Sequence, residues 1–215
     1  PPPPPPPPPP PTFFNDTATT EIYTQVNSSA ASDVYKRQDP RHYLIHGDFI
    51  SPQKAEIMAK NNFGIAMQPF ISVMISDFEP TVVGEKRAAY EWPTRTVLNA
   101  GANLTSSSDA PVTYPNWRLG VQAAVLREGL VSGKVSGPEE CLTVEEAIRT
   151  YTINGAWQDH MESVKGSIET GKFADFCIIG DDILNVDPHE IGEIPVLMTI
   201  VGGKIVFDES GDAFI

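Results

Sequence analysis

His-Tyr-Leu-Ile-His, at residues 42–46, is a short apolar run that is typical of a buried β-strand. Two similar runs follow at residues 64–68 and 103–106, and a segment with helix signals precedes each of them. Ser51 and Pro52 supply the first helix with an N-cap and with a proline at its first position. This alternation predicts an α/β fold in which crossover helices join parallel strands.

The second half of the chain changes from helical to extended patterns. Helices are predicted at residues 119–127 and 143–156, and Thr143 with Glu146 forms the capping-box pattern that opens the second one. Residues 174–180 read as a strand, and residues 196–207 read as a hairpin with Gly202-Gly203 at its turn. These signals predict the antiparallel strands of a small β-domain.

Composition and charge exclude several classes of function. The net charge of −13 argues against binding to nucleic-acid phosphates, which requires basic patches. Cys141 and Cys177 lack the spacing of a zinc knuckle or of a disulfide framework, so a reducing compartment is the default. No stretch approaches the roughly 18 apolar residues of a membrane span. We therefore expect a cytoplasmic protein with no nucleic-acid and no membrane partner.

Residues 1–38 have a composition unlike the rest of the chain. Eleven prolines open the sequence, and residues 15–23 and 28–38 back-translate, in the right order, to two short-read sequencing adapters. We predict that this segment is not part of the biological protein and exclude it from reasoning about the fold. The alternative is a natural polyproline II arm that recruits partners of the SH3 or WW type.

Two residues that could bind a metal each follow a predicted strand. His46 ends the first strand and Asp109 comes soon after the third. In parallel α/β folds the carboxyl ends of the strands build the active site, and imidazole and carboxylate are standard ligands of Zn²⁺. From the residues alone two other interpretations stay open, namely a structural histidine and an aspartate that serves a turn or caps a helix.

Several motifs resemble one enzyme family. Ser-Ser-Asp-Ala-Pro-Val at residues 107–112 resembles the motif of strand eight in the amidohydrolase superfamily, in the family-3 branch that includes enzymes like N-substituted formamide deformylase. The likeness covers nearly all of residues 39–207, and its most specific element is Gly-Lys-Phe-Ala-Asp at residues 171–175 together with the final hairpin. Four further segments occur in the order of that branch, at residues 41–46, 68–69, 142–147 and 165–175, the last with the closing segment 199–206.

The resemblance implies a fold and a set of site residues. Residues 39–162 would form strands six to eight of a partial TIM (β/α)8 barrel, and residues 163–215 would form strands of a β-sandwich. His46 would be the metal-binding histidine of strand six, and Asp109 would be a metal ligand and the catalytic group that activates water. Gln68 would bind the substrate at the end of strand seven, although a plain hydrogen bond at the strand end is an open alternative. Asp175 would be structural, His42 would be a core residue, and Cys177 would be buried.

The resemblance also implies a reaction and an incomplete site. One or two divalent ions, Zn²⁺ above all, would activate water to hydrolyse a non-peptide carbon–nitrogen bond in a small-molecule amide or formamide. The His-x-His pair of strand one and the ligands of strands four and five would lie before Asp39, so we expect this chain to be inactive by itself. The alternatives are a non-catalytic proline-rich interaction module and a pseudo-enzyme, and a homo-oligomer stays open.

Overall fold

A computed structural model describes residues 39–211, so the polyproline and adapter-like segment lies outside the described residues, as do residues 212–215. The strands are β1 Tyr43–Ile45, β2 Gly64–Met67, β3 Asn103–Ser106, β4 Phe176–Ile179, β5 Val196–Val201 and β6 Lys204–Asp208. The α-helices are α1 Pro52–Lys60, α2 Pro69–Ile75, α3 Glu79–Val83, α4 Glu85–Ala88, α5 Thr94–Ala100, α6 Trp117–Leu126, α7 Val144–Tyr151 and α8 Ile153–Gln158. Two 3₁₀ helices span Pro138–Glu140 and Pro188–Glu193.

The first sheet is parallel and has the order β1-β2-β3. Its central strand, β2, is buried along its whole length because it pairs with a strand on each side. Ile65 and Met67 of this strand join Leu104 of β3 in the hydrophobic core, together with Val97 and Val121 from two helices. The α/β fold with parallel strands and crossover helices, as the sequence predicts, is thereby confirmed.

The second sheet is antiparallel and has the order β4-β5-β6. Gly202 and Gly203 form the turn between β5 and β6 with φ values of 57° and 76°, which glycine adopts at little steric cost. Asp175 Oδ1 accepts a hydrogen bond of 2.6 Å from the Gly202 N–H and so ties the turn to the start of β4. This contact fits the structural role that the sequence predicts for Asp175.

The helix ends follow the predicted capping chemistry. Ser51 caps α1 with Pro52 at its first position, and Gly101 ends α5 in the left-handed conformation. Thr143 and Glu146 form a complete capping box at the start of α7. Arg95 donates to Glu146 Oε2 at 2.6 Å, and this hydrogen bond lowers the pKa of Glu146 to about 2.

The structure differs from the predicted helices at three places. The helix predicted at residues 143–156 is interrupted at Thr152, whose φ of −123° and ψ of −97° lie outside the helical region. The helix predicted at residues 119–127 begins earlier, at Trp117, and ends at Leu126 because Arg127 adopts a positive φ of 51°. Helices α2, α3 and α4 were not predicted, since they are only four to seven residues long and too short for a clear hydrophobic period.

Burial was predicted wrongly at the first strand and at Cys177. Tyr43 and Ile45 of β1 are 45% and 54% exposed, and His42 is exposed instead of lying in the core. The reason is that β1 is an edge strand of the described sheet and pairs only with β2 there. Cys177 in β4 is exposed as well, because β4 is an edge strand of the second sheet.

Helix α6 connects the parallel sheet to the segment before β5. Its buried Val121 and Ala124 belong to the hydrophobic core that includes Ile65 and Met67 of β2, and its Gln122 Oε1 accepts a 2.8 Å hydrogen bond from the Gly192 N–H. Arg118 of the same helix donates to the carbonyl of Ile194.

Among residues 39–211, none of the helices combines the length and the apolar composition that crossing a membrane requires.

Replacing Thr143 with alanine tests the capping box. The variant loses the hydroxyl that accepts from the Glu146 N–H at 3.2 Å, so we expect the free energy of unfolding to fall by about 0.5 to 2 kcal/mol. Urea denaturation followed by circular dichroism measures the change. Thr170→Ala, at an exposed position, is the control and should stay within about 0.5 kcal/mol of the parent chain; equal losses in both variants would contradict the assignment.

Candidate functional site

His46 lies directly after β1, at the carboxyl edge of the parallel sheet. Its backbone N–H donates to the Ala66 carbonyl at 2.8 Å, and its φ is 69°. The imidazole Nδ1 is 2.7 Å from Gln68 Oε1, and the ring meets the Trp92 ring edge-on at a centroid distance of 6.3 Å. In the part of the chain that the structure describes, Nε2 of His46 has no hydrogen-bond partner.

Gln68 follows β2 at the same edge and is only 2% exposed. Its Nε2 donates to the Ala66 carbonyl at 3.2 Å and to Ser107 Oγ at 2.9 Å. With the contact to His46, three hydrogen bonds hold the side-chain amide. Ser107 follows β3, so one chain of side-chain hydrogen bonds links the ends of all three strands.

Asp109 lies three residues beyond the end of β3, in a turn. The Val112 N–H donates to the Asp109 carbonyl at 2.8 Å, the Ala110–Pro111 peptide bond is cis, and the φ of Asp109 is 55°. The residue is half-buried. Its carboxylate accepts no hydrogen bond and forms no ion pair with any of the described residues.

The structure brings His46 and Asp109 to the same edge of the sheet, because parallel strands end in the same direction. Strand β2 separates their strands, which places these strands about 10 Å apart at the usual spacing of about 4.8 Å per strand. Within residues 39–211 no group of three or more His, Cys, Asp and Glu side chains is arranged to hold a metal ion. The described residues therefore offer two candidate ligands rather than a complete metal site.

Three carboxyl groups that were not predicted as site residues interact near His46, namely those of Asp48, Glu79 and Glu91. Glu91 is 2% exposed, and its Oε1 accepts a 2.7 Å hydrogen bond from Trp92 Nε1. Burial, and then a hydrogen bond with the Glu79 carboxyl, raise the pKa of Glu91 to about 9. Burial is also the largest cause that raises the pKa of Asp48, and the nearby His46 opposes this effect. Glu91 therefore keeps its proton to a higher pH than an ordinary glutamate does.

Arg127 holds the segment that carries Glu91 and Trp92. Its guanidinium is buried and donates to the carbonyls of Glu91 at 2.7 Å, Trp92 at 3.0 Å and Ser136 at 2.6 Å. Since the Trp92 ring contacts the His46 ring, Arg127 acts on His46 only through Trp92, whose backbone it holds. Arg127 carries no local sequence signal that would have marked it, because it donates only to backbone carbonyls, two of which are 35 and 36 residues away. Glu91 is not marked either, because its raised pKa arises from burial and from Glu79 rather than from a sequence motif.

The other histidines lie away from this edge. His189 is exposed between Asp187 and Glu128, at 2.9 Å and 3.0 Å, and the hydrogen bond to Asp187 is the largest cause that raises its pKa. His160 is exposed after α8. A cleft of about 290 Å³, lined in part by Asn62 and Asn103, opens at the amino edge of the parallel sheet instead.

Comparison with known proteins assigns the chain to a family. A family model described as the amidohydrolase family matches residues 12–207. The match begins within residues 1–38, and the non-biological origin of those residues stays a prediction. A putative amidohydrolase of Bacillus subtilis, YtcJ, is 32% identical over 174 residues, which are 78% of this chain and 32% of that protein.

Two further proteins give a similar picture. The N-substituted formamide deformylase of Arthrobacter pascens is 35% identical over 121 residues, covering 56% of this chain and 22% of that enzyme. The crystal structure of a metal-dependent hydrolase from Pyrococcus horikoshii superimposes with a TM-score of 0.62 at 24% identity, over 74% of this chain and 32% of that one. The chain thus spans about a third or less of the length of these proteins.

The raised pKa of Glu91 gives the stability of the chain a pH dependence. The pKa of Glu91 is higher in the folded state than in the unfolded state, so binding of the proton stabilises the fold. This stabilisation is complete at pH values below the pKa of an ordinary glutamate, and it is lost as the pH rises through about 9. Glu91→Gln keeps a neutral amide that can accept from Trp92. Between about pH 5 and about pH 9 we expect the variant to lose less stability than the parent by several kcal/mol, since each unit of pKa shift corresponds to about 1.4 kcal/mol.

Urea denaturation at several pH values measures this difference. The exposed Glu190→Gln is the matched control and should follow the parent curve. Parallel curves for the parent and for Glu91→Gln would show that Glu91 is ionised in the folded chain.

Proposed function

The chain belongs to the amidohydrolase family, and on that premise we propose that it is the C-terminal part of a metal-dependent hydrolase of non-peptide carbon–nitrogen bonds. The observation that carries the proposal is the pair of donor groups left without partners at one edge of the parallel sheet. These are Nε2 of His46 and the carboxylate of Asp109. Burying or constraining polar groups without partners is unfavourable, so such groups are usually kept for a ligand.

The donor chemistry fits a divalent cation. Neutral imidazole and carboxylate are the ligands that Zn²⁺ takes in hydrolases, and the third ligand and a water complete such a site. A bound zinc ion would supply a water of lowered pKa as the nucleophile. The names of two of the proteins above, a formamide deformylase and a metal-dependent hydrolase, support this chemistry and an amide or formamide substrate.

We assign the roles of the residues accordingly. His46 would offer Nε2 to the ion, since Nδ1 is already engaged by Gln68. Asp109 would offer one carboxylate oxygen to the ion and would hold the proton that leaves the attacking water. Its positive φ sets the carboxylate in a fixed turn at the sheet edge, which suits a group that must stay in place while it takes a proton.

The proposed architecture follows from the two sheets. Residues 39–162 would form strands six to eight of a (β/α)8 barrel, and residues 163–215 would form strands of an accompanying β-sandwich. Complete barrels have about 250 residues, so the remaining strands and the remaining metal ligands would be supplied by chain outside these segments. The 215-residue chain alone is then expected to be inactive.

The DNA that precedes the codon of Asp39 tests this architecture directly. The proposal requires an in-frame continuation that contains a His-x-His pair after a strand-like segment. Genuine proline codons with mixed third positions would instead support a natural proline-rich module, and a barrel sequence without the histidine pair would support a pseudo-enzyme. Either of these outcomes would overturn the proposed hydrolase.

A chimaera tests the function of the site. Residues 39–211 would replace the matching C-terminal part of the formamide deformylase of Arthrobacter pascens, and hydrolysis of N-substituted formamides would be measured with Zn²⁺ present. We expect turnover by the chimaera, and a loss of a hundredfold or more in kcat/KM on Asp109→Asn, because the asparagine cannot accept the proton of water. The 215-residue chain should show no turnover under the same conditions.

Stability separates a catalytic effect from a folding effect. Asparagine tolerates positive φ as well as aspartate does, and the Asp109 carboxylate has no partner to lose among the described residues, so Asp109→Asn should unfold within about 0.5 kcal/mol of the parent. Asp181→Asn, at an exposed position, is the matched control for activity. Equal activity of Asp109→Asn and Asp181→Asn would refute the assignment.

A further inference from the structure

We propose that Gln68 is a positioning residue that holds His46 as the tautomer protonated on Nδ1, so that Nε2 carries the lone pair offered to a cation. The contact that carries the proposal is the 2.7 Å hydrogen bond between Gln68 Oε1 and His46 Nδ1. The part of the proposal that concerns the cation rests on the proposed function. The part that concerns the tautomer of His46 does not, because the tautomer is set by residues of this chain alone.

The orientation of the Gln68 amide follows from its other neighbours. One end of the amide lies 3.2 Å from the Ala66 carbonyl, which can only accept a hydrogen bond. The nitrogen must therefore face Ala66, since the reversed amide would place two acceptors against each other. The Ser107 hydroxyl, 2.9 Å from the same nitrogen, can accept the second N–H. The oxygen is left to face His46.

The tautomer of His46 follows from the orientation of the amide. A carbonyl oxygen cannot donate, so Nδ1 of His46 must carry the hydrogen that makes the 2.7 Å contact. In a neutral imidazole the other nitrogen then holds the lone pair. Metal-binding histidines commonly have their second nitrogen fixed in this way by a neighbouring acceptor, which sets the ring orientation as well as the tautomer.

The hydrogen-bond chain also fixes the place of the imidazole. Ser107, Gln68 and His46 follow β3, β2 and β1, and the two outer residues, Ser107 and His46, are each held by a backbone hydrogen bond to β2. The Ser107 N–H donates to the Met67 carbonyl at 3.0 Å, and the His46 N–H donates to the Ala66 carbonyl at 2.8 Å. The parallel sheet itself thus sets the distance between the amide oxygen and the ring.

Burial favours positioning over substrate contact. Gln68 is 2% exposed, and both of its amide groups already have partners within the chain. A substrate that took one of these bonds would have to displace Ala66, Ser107 or His46. Removal of the amide should therefore act through the His46 ring, and should lower kcat or metal affinity more than it raises KM.

Nuclear magnetic resonance of the 215-residue chain, labelled with ¹⁵N at histidine, tests the tautomer. Two-bond couplings from the ring protons identify which nitrogen is protonated, and the His46 signals are assigned by their loss in His46→Gln. At alkaline pH, where neutral imidazole dominates for an ordinary histidine, we expect His46 in the parent chain to be protonated on Nδ1. Protonation on Nε2 in the folded parent chain would overturn the proposal.

Two variants show whether Gln68 is the cause. Gln68→Met keeps a side chain of similar length without an acceptor, so His46 should lose its preference for the Nδ1-protonated form. Gln68→Glu, when its buried carboxyl is protonated, can donate to the Ala66 carbonyl and accept from His46, and it should restore that form. The exposed Gln53→Met is the control and should leave the spectrum of His46 unchanged. An unchanged tautomer in a folded Gln68→Met would overturn the proposal.

The chimaera distinguishes this proposal from the proposed function. There, Gln68→Met should lower kcat or zinc affinity by about tenfold to a hundredfold with KM nearly unchanged, and Gln68→Glu should recover part of the loss. A rise in KM alone would assign Gln68 to the substrate and overturn the positioning role. An inactive chimaera with an Nδ1-protonated His46 would count against the hydrolase and leave the tautomer established.

Discussion

Parallel pairing of three short strands is the constraint on which the rest of the structure depends. Strand β2 lies between β1 and β3, is buried throughout, and fixes the register of both neighbours. Because the strands run in the same direction, His46, Gln68 and Ser107 follow them at a common edge. The hydrogen bonds between these side chains are possible only in this register, since a shift by one residue would turn each side chain to the opposite face.

The elements that the sequence predicts well are those with local signals. The three parallel strands, the caps at Ser51 and Thr143, and the glycine turn of the final hairpin all depend on residues close together in the chain. The break at Thr152 and the exposure of β1 depend on packing partners, which no local pattern reveals. The same difference applies to the site. His46 and Asp109 are candidates because they lie in family motifs, and their roles stay predictions, whereas no motif marks the buried Glu91.

Backbone strain is concentrated around the candidate site. Seven non-glycine residues of the described chain have positive φ, and four of them are His46, Trp92, Asp109 and Arg127. Each costs on the order of 1 kcal/mol relative to an ordinary conformation. Arg127 and Trp92 lie in one hydrogen-bonded group and His46 contacts Trp92, so their costs are borne by a shared set of contacts.

Two independent sets of contacts converge on the His46 ring. Gln68 holds Nδ1 from the side of the strands, and Trp92, supported by Arg127 and by Glu91, meets the ring edge-on from the helical side. A ring that served only to fill space would need neither the strained backbone nor a buried carboxylic acid beside its neighbour. The two sets together restrict the rotation of the ring, and they leave Nε2 as the one ring nitrogen without a hydrogen bond among the described residues. The proposed role of His46 as a metal ligand requires this arrangement, because a ligand needs one nitrogen held by a neighbour and the other kept for the ion.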